Sequence, residues 1–153
     1  KETFLGTITT KVMNDVKTVV LAIPEHCKYE PIEKVLFITE YKPEERASFL
    51  KAMNFAKTFQ AHIDCLHVEP THHQVNNDFI NDWNEMIKDK DILSHSIKGD
   101  DVEGIILHFI DLHKINLIAM HVQHRSFFEK LFKISLSKKL AFHINVPILA
   151  IHE

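Results

Sequence analysis

The chain has 153 residues, of which 45% are hydrophobic and 11 are Phe, which is enough for one domain with a sizeable core. Its 18 basic and 21 acidic residues nearly balance, so no basic field favours nucleic acid or an anionic membrane as a partner. The apolar runs are far shorter than the roughly 20 residues of a membrane helix, and two cysteines without a charged-then-apolar leader predict a reducing cytoplasm.

Short apolar runs rich in strand-forming residues alternate with amphipathic stretches along the chain. The runs predict strands at residues 34–39, 61–68, 92–97, 117–122 and 146–151. The stretches predict helices at residues 44–59, 75–87, 102–109 and 128–140, with Asp100 or Asp101 capping the third helix. Strands that alternate with helices of this length form a parallel sheet with right-handed crossovers. The sequence therefore predicts a doubly wound α/β fold with helices on both faces of the sheet.

The beginning of the chain resembles its end. Residues 5–25 align with residues 133–153 without a gap, and the identical pairs include Lys11/Lys139, Leu21/Leu149, Ala22/Ala150, Ile23/Ile151 and Glu25/Glu153. Two apolar strands can match by chance, but the agreement also extends through the preceding helix, which favours an internal repeat. We therefore expect residues 1–24 to be the last helix and strand of a preceding repeat, residues 25–33 to be a linker, and residues 34–153 to be a domain.

This domain resembles the universal stress protein family over nearly its whole length. The order and spacing of its segments carry the resemblance: KVLFITEY at 34–41, AHIDCLHV at 61–68, SIKGDDVEGII at 96–106, NLIAMHVQHRS at 116–126 and the final VPILAI. The resemblance implies a five-stranded parallel sheet of order 3-2-1-4-5, with residues 34–39 at its centre. It also implies that two copies join through their last strands. We therefore expect residues 19–23 to pair antiparallel with residues 146–151, either within one chain or between the chains of a homodimer.

The resemblance points to the loop after the fourth strand as a nucleotide site. In the family this loop holds the phosphates of ATP with a glycine, two residues, a second glycine, nine residues, and then a glycine followed by Ser or Thr. Here the three glycine positions hold His121, His124 and Ile134, and only Ser135 is retained. A Cβ-bearing residue obstructs the close approach of backbone N–H groups to a phosphate. In the earlier copy, Gly6 and Thr7 match the last glycine and the Ser/Thr.

Two further residues belong to the same crevice by resemblance. Glu40 matches the acidic residue that usually ends the first strand in the family, and Arg125 stands where it could meet an anion. The lost glycines predict a non-enzymatic stress-response module without a cofactor, which acts through dimerisation or assembly. The alternative is a nucleotide-binding domain with at most slow hydrolysis, in which His124, Arg125 and Ser135 replace the glycine cradle.

The high histidine content raises the question of a metal site. His121 and His124 are candidate ligands in the loop, and His67 or His95 could join them if their strand ends face the same crevice. No spacing in the sequence fixes a ligand geometry, however, and the chain has 12 histidines. Scattered hydrogen-bonded roles are the more common use of histidine, so no metal is expected.

Overall fold

The computed structural model of the protein describes residue 12 and residues 15–24, 27–72, 74–122 and 144–152. The strands are β1 (Val20–Ala22), β2 (Lys34–Ile38), β3 (His62–Glu69), β4 (Ser94–Lys98), β5 (Leu117–His121) and β6 (Ile148–Ile151). The helices are α1 (Glu45–Thr58), α2 (Asn77–Ile87) and α3 (Val102–His113). The predicted helix at residues 128–140 lies outside the described residues. None of the described helices is long and apolar enough to cross a membrane.

The six strands form one sheet in the order β1-β6-β5-β2-β3-β4. From β6 to β4 all neighbouring strands are parallel, which gives the predicted order 3-2-1-4-5 with β2 at the centre. The sheet has six strands, not five, because β1 adds to its edge. Leu21 of β1 lies opposite Leu149 of β6 in an antiparallel pair. The predicted pairing of the N-terminal strand with the last strand is therefore confirmed within one chain.

Strand β2 is buried on both of its faces. Phe37 points to the face covered by α1 and α2, where its ring lies 5.2 Å from Phe49 and 6.0 Å from Trp83. Leu36 points to the opposite face, in the cluster that includes Ile106 of α3. Helices on both faces explain why β2 is a continuous apolar run with no alternation of polar residues.

The structure decides between the two proposed caps of α3. The Asp101 side chain accepts the backbone N–H of Gly104 at 3.1 Å and is the N-cap. Asp100 instead accepts the backbone N–H of Thr71 at 2.9 Å and the Thr71 hydroxyl at 2.6 Å. These hydrogen bonds lower the pKa of the Asp100 carboxyl. Asp101 therefore caps α3, whereas Asp100 binds the connection between β3 and α2.

The third predicted strand begins later than expected. Its predicted range was 92–97, but β4 starts at Ser94, and the Leu93 side chain is exposed. The backbone N–H of Leu93 is bound by the Asp64 carboxylate at 3.0 Å, and that of Ile92 by the Lys90 carbonyl at 2.8 Å. These two bonds hold residues 92 and 93 in the turn that follows α2, so the strand cannot start there.

Removal of residues 1–26 tests the role of β1. We expect the shortened chain to aggregate or self-associate, because the ladder groups of β6 and the apolar side chains beneath β1 become exposed. Size-exclusion chromatography with light scattering measures the change, and thermal unfolding of the full chain provides the reference. A stable monomer with an unchanged unfolding midpoint would show that β1 is dispensable.

Candidate functional site

The candidate site lies where the winding of the sheet reverses. From β2 the chain proceeds to β3 and β4 on one side, and then crosses to β5 and β6 on the other. Open α/β sheets bind ligands at this switch point, outside the carboxyl ends of the strands. Thr39 and Glu40 follow β2 here, and His121 ends β5 and is followed by Val122. We call the space between these strand ends the crevice.

The loop from β2 to α1 is occupied by a carboxylate of the chain itself. The Glu45 side chain accepts the Thr39 hydroxyl at 2.5 Å, the Glu40 backbone N–H at 3.0 and 3.1 Å, and the Lys42 backbone N–H at 3.3 Å. The Thr39 hydroxyl oxygen in turn accepts the N–H of Tyr41 at 2.8 Å. Tyr41 has a φ of 62°, in the left-handed region. Successive N–H groups in such a loop form a concavity for an anion, and here Glu45 fills it.

Burial makes this carboxylate costly to ionise. Desolvation raises the pKa of Glu45, and the negative charge of Glu40 raises it further. Hydrogen bonds from the Thr39 hydroxyl and from the backbone of Glu40 and Lys42 act in the opposite direction. The net effect is a raised pKa, because burial outweighs the donors that surround the carboxylate.

The other side of the crevice is fixed by a contact between α1 and β5. His121 Nδ1 lies 2.6 Å from the hydroxyl oxygen of Ser48, a fully buried residue. A second tie joins α1 to the end of β6, where the Lys51 ammonium donates to the His152 carbonyl at 3.1 Å. The His121 imidazole is thus held at the end of β5, at the first of the three predicted glycine positions.

Glu40 is less firmly engaged than these residues. Its carboxylate forms an ion pair with Lys42, and both side chains are about half exposed. An exposed pair of this kind is worth about 0–1 kcal/mol. A ligand can therefore displace Lys42 from the Glu40 carboxylate at a small cost in free energy.

Of the two other candidate histidines, His67 borders the crevice and His95 does not. His67 is buried, and its Nδ1 lies 2.8 Å from the carbonyl oxygen of Thr39. Because a carbonyl oxygen can only accept a hydrogen bond, Nδ1 is the donor. His95 lies at the start of β4, with its ring 4.9 Å from Phe109 and 5.6 Å from His113, in the last turns of α3. These turns lie at the amino ends of the strands. The expectation that His95 faces the crevice is therefore wrong, since β4 starts two residues later than predicted.

The described residues contain no group of three or more His, Cys, Asp or Glu side chains that could hold a metal ion. The predictions for His124, Arg125, Ile134 and Ser135 fall on positions outside the described residues. Cys65 is buried in β3, and burial raises the pKa of its thiol to about 12. This thiol stays protonated at neutral pH and is a poor nucleophile.

Sequence reasoning missed Glu45 and Ser48 as residues of the site. Glu45 is spaced from Phe49, Ala52 and Ala56 at the steps of a single helix face, and all four residues are buried. An acidic residue in line with the apolar positions of a helix must face the sheet. The apolar periodicity of α1 could therefore have identified Glu45 as a buried residue. What such a residue binds there depends on the backbone path of the loop, which periodicity does not describe.

No protein-family model matches the chain, and no curated protein matches it by sequence. Solved structures do match. A universal stress protein from Archaeoglobus fulgidus DSM 4304 aligns with 97% of this chain at 16% identity and a TM-score of 0.68. A universal stress protein family member from Burkholderia pseudomallei aligns with 82% at 12% identity and a TM-score of 0.56. The universal stress protein UspA from Lactobacillus plantarum aligns with 81% at 14% identity and a TM-score of 0.54.

These similarities establish that the chain has the fold of the universal stress proteins. The lengths differ between the neighbours. The Burkholderia and Lactobacillus proteins are covered completely, whereas this chain spans only 55% of the Archaeoglobus protein.

Replacement of Glu45 tests its role in the loop. We expect Glu45→Ala to lower the free energy of unfolding by about 1–3 kcal/mol, because the Thr39 hydroxyl and two backbone N–H groups lose their acceptor. Urea unfolding at pH 7 measures the loss, with Glu45→Gln as the variant that retains one acceptor oxygen. An effect no larger than that of Arg46→Ala, an exposed neighbour, would show that the contacts are unimportant.

The raised pKa of Glu45 predicts a pH dependence of stability. The folded state binds this proton more tightly than the unfolded chain does. The stabilisation by the neutral carboxyl is therefore complete below the usual glutamate pKa and is lost as the pH rises through the raised folded value. We expect the wild type to gain stability relative to Glu45→Gln as the pH falls from 7 into this window. Urea unfolding of both proteins at several pH values measures the difference, and a constant difference would contradict the assignment.

Elemental analysis tests the candidate metal ligands. We expect the untagged chain and the His121→Ala, His124→Ala double variant to contain equally little zinc, nickel and copper, because the described residues contain no group of three or more His, Cys, Asp or Glu side chains that could hold a metal ion. A metal present in the wild type and lost in the double variant would establish a site at the crevice.

Proposed function

We propose that the chain belongs to the universal stress protein family, and that it is a non-enzymatic stress-response module of the cytoplasm with a degenerate nucleotide crevice. Its fold is that of the universal stress proteins, and the five sequence segments that resemble the family coincide in order with β2, β3, β4–α3, β5 and β6. The fold alone does not decide the activity. The proposal therefore rests on the residues at the crevice.

The contact between Ser48 and His121 is the observation that carries the proposal. A phosphate cradle at the end of β5 needs bare backbone, and glycine provides it. Here an imidazole stands at the first glycine position and is held by a buried hydroxyl at 2.6 Å. A ligand phosphate would have to displace the ring from Ser48, which leaves a buried hydroxyl without this partner.

The loop after β2 supports the same conclusion. Its donors from Thr39, Glu40 and Lys42 are already bound to Glu45. An anionic ligand at this loop would compete with a carboxylate that is part of the fold and is held by several hydrogen bonds. The crevice is therefore occupied on both sides by side chains of the chain itself.

Assembly is the mode of action that we propose in place of catalysis. The register between β1 and β6 is symmetric about Leu21 and Leu149, the two residues that the internal repeat also aligns. Val20 lies opposite Ala150 and Ala22 opposite Ile148, as a pseudo-twofold axis between equivalent strands requires. This symmetry supports the proposal that β1 is the last strand of a preceding repeat and that repeats associate through their last strands.

The alternative function is nucleotide binding with at most slow hydrolysis. One observation favours it, namely that the Glu40 carboxylate is half exposed at the crevice and, among the described residues, forms its ion pair with an exposed lysine. A carboxylate accepts hydrogen bonds from a hydroxyl or an amine of a ligand. A carboxylate offers no hydrogen-bond donor to a phosphate, however. Glu40 is therefore suited to contact the nucleoside part of a ligand and not its phosphates.

Titration with Mg-ATP distinguishes the two functions. We expect no binding with a dissociation constant below about 100 μM, which corresponds to about 5 kcal/mol. Isothermal titration calorimetry measures this, and a universal stress protein that retains the three loop glycines is the positive control. Adenine nucleotide retained by the purified protein, or a dissociation constant below about 100 μM, would establish the alternative.

A further inference from the structure

The Tyr41 side chain is buried although it belongs to the loop between β2 and α1. Its ring lies 4.7 Å from the imidazole of His67 on β3 and 5.8 Å from the indole of Trp83 on α2, measured between ring centroids. Its hydroxyl lies 3.1 Å from the hydroxyl oxygen of Ser94 on β4. We call the space between these three neighbours the aromatic compartment. A side chain that belongs to no helix or strand fills it.

The backbone of Tyr41 adopts a conformation that disfavours a side chain. Its φ of 62° lies in the left-handed region, where a Cβ atom comes too close to the following carbonyl oxygen. Residues in such conformations persist only when their surroundings over-determine them, and they cluster at ligand sites and switch regions. The aromatic compartment therefore holds the Tyr41 ring against the preference of its own backbone.

The imidazole beside this ring has a hydrogen-bonding atom that Tyr41 does not use. His67 Nδ1 donates to the Thr39 carbonyl, which leaves Nε2 with a lone pair that can accept a hydrogen bond. Nε2 is buried and receives no hydrogen bond from the part of the chain that the structure describes, and the whole His67 residue is only 4% exposed. A buried acceptor without a donor costs free energy, so a ligand that supplies the donor gains affinity there.

The aromatic compartment disfavours a negative charge. Burial raises the pKa of the Tyr41 hydroxyl, and the charge of Glu69 raises it further, whereas the hydrogen bond with Ser94 acts in the opposite direction. The Tyr41 phenol therefore stays neutral at physiological pH. The same desolvation would oppose the entry of an anionic ring, so the compartment suits a neutral one.

We propose that the aromatic compartment is a binding site for a small neutral aromatic ligand that carries a hydroxyl group and a second O–H or N–H donor, and that Tyr41 occupies this site in the absence of the ligand. The ligand hydroxyl takes the place of the Tyr41 hydroxyl beside Ser94, and the second donor binds His67 Nε2. The Tyr41 ring leaves through a change of the loop torsions. No strand or helix has to break, because β2 ends at Ile38 and α1 begins at Glu45.

This site goes beyond the proposed function, because it lies away from the predicted phosphate positions. The crevice lies between the ends of β2 and β5, whereas Trp83 and Ser94 belong to α2 and β4, on the other side of β2. Ligand binding nevertheless reaches the loop of the crevice. The Tyr41 N–H is bound by the Thr39 hydroxyl oxygen, and the same hydroxyl donates to Glu45. An aromatic compound would therefore act on the module without a nucleotide.

The first experiment asks whether a ligand expels the Tyr41 ring. The chain has two tyrosines, and Tyr29 is 97% exposed, so 3-fluorotyrosine labelling gives one buried and one exposed fluorine resonance, which Tyr29→Phe assigns. Resorcinol, a benzene ring with two hydroxyl groups, is the probe, and toluene, which has no hydroxyl group, is the control. We expect increasing resorcinol to move the Tyr41 resonance to the position typical of an exposed ring, and toluene to leave it unchanged.

The second experiment empties the aromatic compartment with Tyr41→Gly, which also suits the left-handed backbone. Calorimetry should show that this variant binds resorcinol at least about tenfold more tightly than the wild type does, because no ring has to be displaced. Phenol has only one hydroxyl group and should bind the variant about tenfold more weakly than resorcinol. His67→Asn, added to Tyr41→Gly, keeps a donor for the Thr39 carbonyl but removes Nε2. Resorcinol and phenol should then bind equally.

Three outcomes would overturn the proposal. They are a Tyr41 resonance that resorcinol does not move, a resonance that toluene moves equally, and a folded Tyr41→Gly variant that does not prefer resorcinol to phenol. Each would show that Tyr41 is an ordinary core residue. The fluorescence of Trp83, the one tryptophan of the chain, establishes in thermal unfolding whether a variant is folded. If Tyr41→Gly does not fold, the fluorine experiment on the wild type decides alone.

Discussion

Burial of β2 on both faces and along both edges is the constraint from which the rest of the structure follows. Phe37 packs against α1 and α2 while Leu36 packs on the side of α3, so helices must cover both faces of the sheet. Parallel neighbours on both edges then require one crossover to each side of β2. This requirement creates the switch point, and hence the crevice at the carboxyl ends of β2 and β5.

The crevice shows how a ligand site can be closed by the chain that builds it. A glutamate on the buried stripe of α1 takes the hydrogen-bond donors of the loop, and a buried serine on the same helix holds the imidazole at the end of β5. Both residues project from the first turns of α1, so one rigid element controls both sides of the crevice. The raised pKa of Glu45 reflects the desolvation of its carboxylate, which has exchanged water for a few fixed hydrogen-bond donors.

The edge beside β6 illustrates the opposite situation, a surface that the described residues leave incomplete. Antiparallel addition of β1 satisfies the ladder of β6 but transfers the free edge to β1. The apolar side chains of β1 have the composition of a buried strand and the exposure of a surface strand.

The sequence by itself determined the alternation of strands and helices, because apolar periodicity is a local pattern. The central place of residues 34–39 and the antiparallel pairing of residues 19–23 followed from the family resemblance, the second together with the internal repeat. The resemblance also placed Glu40 and His121 at the ends of β2 and β5. Only the tertiary structure decided that Glu45 occupies the loop, that Ser48 holds His121, and that His95 lies away from the crevice. Each of these contacts joins residues from different elements or across a turn with a left-handed residue at Tyr41, and such distances depend on the backbone path in three dimensions.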